Sequence, residues 1–213
     1  MPPIVSIVGN SKSGKTTLIE KLIRELKSRG YTVATIKRAQ EVTTGDEGKD
    51  SRRHLQAGSG ATAVVSHDEV AFIKSVEADI TLDEIASLFG EDYDIIITEG
   101  FKQSNAPKIE VHRKETGPLL SGISKSIAIA TDESLDTETR QFDLNDVRGI
   151  ANLLEEDFIQ PRRDYCSLYV NNSPVALSTF PREFITNVLV AMASSLKGVG
   201  KVSTLKFFLR KKD

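Results

Sequence analysis

Cysteine residues and long apolar runs are scarce in this sequence. Cys166 is the only cysteine, so no disulfide can form within the chain, and a lone cysteine is typical of proteins from a reducing compartment. No apolar run approaches the roughly 20 residues that a transmembrane helix needs. The opening Met-Pro-Pro leads directly into strand-forming residues and leaves no room for a signal peptide. We therefore expect a soluble, cytoplasmic protein.

Metal-ligand patterns and repeats are also missing. His54, His67 and His112 are far apart and show no paired metal-ligand spacing, so we interpret them, like Cys166, as structural. The sequence contains no internal repeat and no low-complexity tract. Acyl-transfer, redox and metallo-hydrolytic functions have no supporting residues here.

Charge is divided unevenly along the 213 residues. Residues 1–160 carry 19 Lys and Arg against 27 Asp and Glu, net −8, whereas residues 161–213 carry 9 against 3, net +6. This division predicts two units, 1–160 and 161–213. The second either faces an anionic partner or is simply a small domain with a basic edge.

A phosphate-binding pattern opens the chain. Residues 9–16 have the form G-x-x-x-x-G-K-T, with a predicted buried strand at residues 4–8 and a helical apolar period at residues 17–29. In such a loop the backbone N–H groups bind phosphate, Lys15 reaches the outer phosphates and the Thr16 hydroxyl ligates Mg²⁺. The predicted phosphate-binding residues are Gly9, Asn10, Ser13, Gly14, Lys15, Thr16 and Thr17.

The rest of the first unit predicts an α/β fold. Strand, helix and strand follow one another within residues 4–36, which is the order of a βαβ unit in a parallel sheet. We expect a P-loop NTPase with a mostly parallel sheet flanked by helices. Residues 37–49 predict a polar, mobile loop. Further strands are predicted at residues 62–66 and 70–73 (a hairpin), 93–98, 108–112 and 126–130, and helices at 50–57, 81–89 (with a capping box) and 143–156.

Residues 161–213 predict a small C-terminal ββαβ module after a linker at residues 160–164. The pattern indicates a hairpin at residues 168–177, a helix that begins near Pro181, and an alternating strand at residues 202–210. A unit of about fifty residues buries little apolar surface alone. We expect it to pack on the first unit or on a second subunit.

Glu99 is the predicted carboxylate on the metal side of the phosphate loop. It ends an apolar strand, at the edge where ligands bind in open α/β sheets, and we assign it to metal binding and, with Lys15, to catalysis. Gly100 is expected to bring its N–H close to a γ-phosphate. Asp94 begins the same strand, about 16 Å away at about 3.3 Å per residue, and is interpreted as a strand-entry residue.

Two other carboxylates have open assignments. Asp50 follows the second strand by a loop, where nucleotide switches ligate the metal, but it is equally suited to cap a helix. The neighbouring Lys49, Arg52 and Arg53 either hold a second anion or form a solvated helix face. Asp132 follows the strand at residues 126–130 and could accept the N1–H and N2–H groups of guanine. No Asn-Lys-x-Asp motif is present, and a turn role is the alternative.

Five ordered segments within residues 4–157 carry a family resemblance. They are the phosphate loop, Gly-Lys-Asp-Ser at 48–51 with Arg53 and His54, Thr-Glu-Gly-Phe-Lys at 98–102, Pro-Lys-Ile-Glu-Val at 107–111, and Thr-Asp-Glu at 131–133 with residues 142–146. Together they resemble the MobB family of molybdopterin-guanine dinucleotide biosynthesis adaptors, which are P-loop GTP-binding proteins. One departure is that the family's histidine-rich stretch, which begins Lys-His, is here Lys37-Arg38-Ala39-Gln40.

The resemblance implies a dimeric GTP-binding protein with weak, Mg²⁺-dependent hydrolysis. It would assist the molybdenum cofactor guanylyltransferase, which joins GMP to molybdopterin. It implies that Lys15 and Thr16 hold phosphate and Mg²⁺, that Asp50 and Glu99 lie near the metal, and that Asp132 lies near the base.

Two other functions stay open from the residues. One is a small-molecule kinase on the same scaffold. The other is a nucleotide-switched binding module without turnover, whose basic C-terminal residues dock the partner. We expect neither a membrane nor a nucleic acid as partner. The basic residues in question are Lys206, Arg210, Lys211 and Lys212.

Overall fold

A computed structural model describes residues 1–39, 48–76, 80–162, 166, 168–170, 173–175, 177–202, 204–207 and 209. The chain divides into two compact units, Met1–Gln160 and Pro161–Asp213. In the first unit the strands are β1 (Ile4–Gly9), β2 (Val33–Lys37), β3 (Ala61–Val65), β4 (Val70–Lys74), β5 (Ile95–Glu99), β6 (Lys108–Val111), β7 (Ser126–Thr131) and β8 (Gln141–Asp143). The helices are α1 (Lys15–Ser28), α2 (Gly48–Gln56), α3 (Leu82–Ser87) and α4 (Val147–Leu154), which continues as a π-helical segment, Glu155–Ile159.

The first unit is built on a six-stranded sheet in the order β2-β5-β1-β6-β7-β8. Every neighbouring pair in it is parallel. The α/β prediction with a mostly parallel sheet is therefore confirmed. Parallel pairing brings the carboxyl ends of β1, β5, β6 and β7 to one edge, where the predicted site residues follow the strands. The predicted hairpin, β3 with β4, forms a separate antiparallel sheet.

One face of the sheet is mainly apolar. It consists of alternate residues of the central strands, such as Val5, Ile7 and Ile109, packed against Leu22 of α1 and Leu154 of α4. All five side chains are fully buried. Because successive residues of a strand point to opposite faces, the remaining strand residues lie on the other side.

The opposite face carries both apolar and polar buried side chains. There Ile4, Ile36 and Ile96 pack with Leu82 and Ala86 of α3. The same face also carries a row of buried polar side chains. This polar row consists of Ser6, Thr98, Lys108, Glu110, His112 and Thr131, none of which is more than 6% exposed.

Some boundaries differ from the sequence expectation. The strand β8 was not predicted, and Asp143 ends it instead of opening a helix. The helix begins after Asp146, whose carboxylate accepts from the N–H of Gly149 at 2.9 Å. The capping box at Thr81 and Glu84 is confirmed. Among the described residues, none of the helices is both long and apolar enough to cross a membrane.

The second unit contains a short antiparallel hairpin of β9 (Leu168–Val170) and β10 (Ser173–Val175), followed by α5 (Thr179–Ser194). The last predicted strand is not found among the described residues of 202–210. Residues 203, 208 and 210 of that predicted strand lie outside the described residues. The predicted loop at 37–49, the linker at 160–164 and the hairpin at 168–177 lie partly outside the described residues. The basic Arg210, Lys211 and Lys212 lie wholly outside them.

Candidate nucleotide-binding site

The loop between β1 and α1 has the backbone shape of a phosphate cradle. Gly9 has a φ of +146°, and a Cβ atom there would lie 2.3 Å from the carbonyl oxygen of Val111, so the position excludes any side chain. Gly14 has a φ of +99° and stands at the N-cap of α1 without a side-chain cap. The first turn of α1, all of which is described, contains no acidic residue. Its N–H groups and positive dipole end therefore favour an anion.

Lys15 folds back over this loop. Its ammonium group donates to the carbonyl oxygens of Gly9, at 3.3 Å, and Asn10, at 2.6 Å. Burial lowers the pKa of Lys15; Lys102 and Lys37 act in the same direction, and Glu99 opposes them. A bound phosphate would give Lys15 a negatively charged acceptor in place of two neutral carbonyl groups. Its charge would also offset the repulsion between Lys15 and the ammonium groups of Lys37 and Lys102.

Thr16 and Glu99 meet at the start of α1, although 83 positions separate them in the sequence. The Thr16 hydroxyl lies 3.0 Å from each carboxylate oxygen of Glu99. Lys37 approaches the same carboxylate at 3.4 Å. These oxygen donors fit Mg²⁺, which binds through one or two protein ligands and completes its shell with water and phosphate. In the described part of the chain, no group of three or more His, Cys, Asp or Glu side chains is arranged to hold a metal ion.

Gly100 differs from its expected role. Its φ is +96°, and its N–H donates to the carbonyl oxygen of Ile7 at 3.0 Å. This bond continues the β1–β5 ladder by one residue, so the N–H is turned into the sheet and is not free for a γ-phosphate. Phe101 follows with a φ of +58°, and Arg38 lies over its ring at 6.0 Å.

Asp132 follows β7 and borders a shallow cleft that is largely open to solvent. Its Oδ1 accepts from the backbone N–H of Lys114 at 3.0 Å, and its Oδ2 lies 3.6 Å from the guanidinium of Arg113. The cleft has a volume of about 290 Å³ and is lined by Thr131, Asp132, Glu133, Ser134, Gln141, Phe142 and Asp143. Three of its lining residues form β8, the strand that the sequence did not predict.

Asp50 is not joined to the Thr16–Glu99 pair. The helix α2 already begins at Gly48, so Asp50 lies in the first turn and is not the N-cap residue. Its exposed carboxylate pairs with Arg53 at 3.4 Å. Among the contacts of the described residues, none links Asp50 to Thr16 or Glu99.

Sequence reasoning missed the segment that follows β6. Arg113 donates from Nε to the carbonyl oxygen of Ser13 at 3.1 Å. Asn10 donates to the carbonyl oxygens of Thr116, at 3.1 Å, and Pro118, at 2.9 Å. The phosphate loop is therefore fastened to residues 113–118 at two points. The only sequence signal was a basic residue just beyond a strand's carboxyl end.

The polar row supports the loops beside the site. Lys108 is fully buried, and its ammonium donates to the carbonyl oxygens of Ser104, Ala106 and Ser124 at 2.6–3.1 Å. Burial lowers the pKa of Lys108, and Lys125 lowers it further. The three acceptors lie in the segments before β6 and before β7, so one side chain fixes both.

Two further members of the polar row, Glu110 and His112, each have fewer hydrogen bonds than Lys108. Glu110 accepts from the N–H of Leu120 at 2.7 Å, and burial raises the pKa of its carboxyl against the opposing effects of that N–H, His112 and Lys102. His112 contacts Glu133 through Nε2 at 2.9 Å, while its buried Nδ1 has no hydrogen-bond partner among the described residues.

The fold and the site together define the class of this protein. A parallel sheet whose central strand leads through G-x-x-x-x-G-K-T into a helix, with a carboxylate at the end of the adjacent strand, is the arrangement of the P-loop NTPase fold. The family model described as molybdopterin guanine dinucleotide synthesis protein B, MobB, matches residues 4–132. The chain belongs to the MobB family.

Individual relatives agree with this membership. The chain is 38% identical over 156 residues to a molybdopterin-guanine dinucleotide biosynthesis adapter protein of Haemophilus influenzae, a match that covers 72% of this chain and 88% of the relative. It is 34% identical to the Escherichia coli protein of the same name, covering 73% and 93%. A crystal structure of molybdopterin-guanine biosynthesis protein B superposes with a TM-score of 0.59 at 32% identity, covering 73% of this chain and 99% of that one.

Proposed function

We propose that this protein is a GTP-binding adapter in the biosynthesis of molybdopterin guanine dinucleotide, with weak, Mg²⁺-dependent GTP hydrolysis. Its relatives are named as adapters of that biosynthesis, which supports the biosynthetic role. The approach of the Thr16 hydroxyl to both Glu99 oxygens, beside an uncapped helix start, is the observation that carries the nucleotide assignment.

In the proposed complex the triphosphate lies along the loop from Gly9 to Thr17. Lys15 exchanges its two carbonyl acceptors for phosphate oxygens, and Thr16 with Glu99 holds Mg²⁺ or its water. Bound Mg²⁺ would offset charge on the outer phosphates. Asp132 takes the guanine base in the cleft after β7. With Asp50 exposed on α2, metal binding in this proposal rests on Thr16 and Glu99.

The direct test is calorimetry of GTP binding with Mg²⁺. Lys15→Ala removes the only loop side chain placed to pair with the outer phosphates, and charge-assisted hydrogen bonds of about 1.5–3 kcal/mol predict a loss of roughly 10- to 150-fold. Lys27→Ala, in the exposed last turn of α1, is the matched control and should bind as wild type does. Absence of GTP binding by the wild type, or equal affinity of the two variants, would refute the proposal.

The metal and base assignments need separate measurements. Glu99→Gln keeps the size of the side chain but removes the charge, so GTP affinity in Mg²⁺ should fall toward the affinity measured in EDTA. For the base, GTP should bind more tightly than ATP because Asp132 accepts from two N–H donors that adenine lacks. Equal affinities for GTP and ATP would count against Asp132 as the base-binding residue.

Turnover separates this proposal from its two rivals. Slow GTP hydrolysis that requires Glu99 fits a weak GTPase. Turnover that rises steeply with one small metabolite would indicate a kinase, and intact binding with no hydrolysis above background would indicate a nucleotide-switched module. Formation of GDP and release of phosphate, both followed for wild type and Glu99→Gln, distinguish the three, because a kinase forms GDP without releasing phosphate.

The hairpin supports the proposed homodimer. A two-stranded sheet alone is marginally stable, and this one exposes Val65 (69%), Val70 (69%) and Phe72 (55%). Pairing with a second copy would cover these apolar side chains. Light scattering should give twice the chain mass for wild type and a lower mass for Phe72→Lys, whereas a wild-type monomer at micromolar concentration would refute the dimer.

The proposed partner is the molybdenum cofactor guanylyltransferase. If nucleotide binding by the adapter serves that enzyme, adding wild-type protein should increase GMP transfer to molybdopterin, and Lys15→Ala should not. Equal stimulation by both would separate the adapter role from the nucleotide site.

A further inference from the structure

The segment after β6 touches both ends of the candidate site. Arg113 is its central residue, because one guanidinium faces two different elements. Its Nε donates to the carbonyl oxygen of Ser13 in the phosphate loop at 3.1 Å, and its Nη1 lies 3.6 Å from Oδ2 of Asp132. Arg113 therefore links the phosphate loop directly to Asp132.

The contacts of Asp132 leave it able to bind a base. A carboxylate has about four lone-pair positions. Lys114 N–H occupies one on Oδ1, and the Arg113 guanidinium lies beside Oδ2. Each oxygen keeps a free lone pair, and the side chain is still 35% exposed. Arg113 and Lys114 therefore fix the orientation of the carboxylate without covering it.

The position of Arg113 relative to the loop is equally defined. A Cβ atom built on Gly14 would lie 3.6 Å from Nε and 3.7 Å from Nη2, so the guanidinium lies against the backbone at the start of α1. The same side chain lines a small depression with Ser13, Gly14, Thr17 and Asn145. A positive charge at this point lies between the phosphate cradle and the base cleft.

We propose that Arg113 is a positioning residue that sets the geometry of Asp132 relative to the phosphate loop and thereby determines base discrimination. This inference rests on the proposed nucleotide function. A triphosphate bound in the loop fixes the distance from the loop to its base. Asp132 can accept hydrogen bonds from that base only if its carboxylate is held at the corresponding position. The planar fork of arginine contacts two acceptors at once, which a lysine ammonium at the same position cannot do in the same geometry.

The test compares three ligands that differ in what they offer to Asp132. GTP carries both N1–H and the 2-amino group, ITP lacks the 2-amino group, and inorganic tripolyphosphate lacks the base. Each displaces a fluorescent GTP analogue from the full-length protein in Mg²⁺. The variants are Arg113→Gln, Arg113→Lys, Asp132→Asn and the double variant Arg113→Gln/Asp132→Asn. Arg24→Gln, an exposed arginine of α1 that pairs only loosely with Glu20 at 3.9 Å, is the control.

The wild type and Arg24→Gln should prefer GTP over ITP roughly tenfold or more, the value of one hydrogen bond to a charged group. Asp132→Asn should bring this ratio close to one. Arg113→Gln and Arg113→Lys should both lower it by about the same factor, while their tripolyphosphate affinity stays within about threefold of wild type. The double variant should discriminate no worse than Asp132→Asn, because Arg113 acts through that carboxylate.

Three results would overturn the inference. The first is an unchanged GTP-to-ITP ratio in both Arg113 variants. The second is an equal loss of affinity for GTP, ITP and tripolyphosphate, which would mean that Arg113 only supports the loop. The third is retained discrimination in Arg113→Lys, which would show that charge alone suffices. These three results concern a protein that binds GTP, so they would leave the proposed function intact. A wild-type protein that does not bind GTP would instead overturn the proposed function and this inference together.

Discussion

Replacing Gly9 with alanine tests the close approach of β1 and β6 beneath the phosphate loop. The φ of +146° belongs to a region used almost only by glycine, at a cost of about 1–3 kcal/mol for another residue. The new Cβ would lie 2.3 Å from the Val111 carbonyl oxygen, well under the 3.0 Å that real contacts respect. The backbone must shift, which costs about 1–3 kcal/mol more. We expect a loss of about 2–6 kcal/mol in the free energy of unfolding, a large share of the roughly 5–15 kcal/mol typical of a domain.

Gly30→Ala is the matched control for this substitution. Gly30 also has a positive φ, +90°, but nothing lies within 4 Å of its virtual Cβ, so only backbone strain of about 1–2 kcal/mol is expected. Urea unfolding followed by far-UV circular dichroism measures both variants. If Gly9→Ala is no less stable than Gly30→Ala, the contact with Val111 does not constrain the loop and the reasoning fails.

Three other substitutions probe the sheet and its polar row. Asp94→Ala removes the acceptor of two Thr32 hydrogen bonds, at 2.7 and 2.8 Å, and should lower the free energy of unfolding by about 1–2 kcal/mol without changing GTP affinity. Lys108→Met leaves three carbonyl acceptors without this donor and should lower the free energy of unfolding in urea by about 2–4 kcal/mol. Amide exchange in residues 101–107 should also become faster. Glu110 has a raised pKa in the folded protein, so the folded state binds more protons above the usual value of 4.5 and wild-type stability falls as pH rises through that window. Glu110→Gln should remove this slope in unfolding curves measured from pH 4.5 upward, and an unchanged slope would contradict the assignment.

Local patterns explain why much of the fold could be predicted. The apolar period after the phosphate loop, the capping box at Thr81 and the unbroken run before Glu99 each contain their own signal within a few residues. Asp94 was placed at the start of β5 from strand length alone, and it does join the starts of β2 and β5. By contrast, β8 has three residues and becomes a strand only because β7 offers it an edge. A three-residue segment is too short for its sequence to show that it pairs with another strand.

The candidate site was predictable to the same extent. Motif spacing placed Thr16 and Glu99 at one sheet edge, and the structure brings them to 3.0 Å. The use of the Gly100 N–H by Ile7 could not be foreseen, since it depends on the register between β1 and β5. Arg113 was missed for a related reason. Its partners Ser13 and Asp132 come from opposite sides of it in the sequence and meet only through the strand order of the folded sheet.

The two faces of the sheet imply two different rules for sequence change. On the apolar face, volume-conserving exchanges among aliphatic residues should be tolerated singly, at under about 1.5 kcal/mol each. In the polar row, each residue has a named partner, as Ser6 has Thr98 at 2.8 Å and Lys108 has its three carbonyl groups. A single change there leaves a buried group unsatisfied. In related sequences, residues on the apolar face should therefore be substituted independently of one another. Residues of the polar row should be substituted together with their partners or not at all.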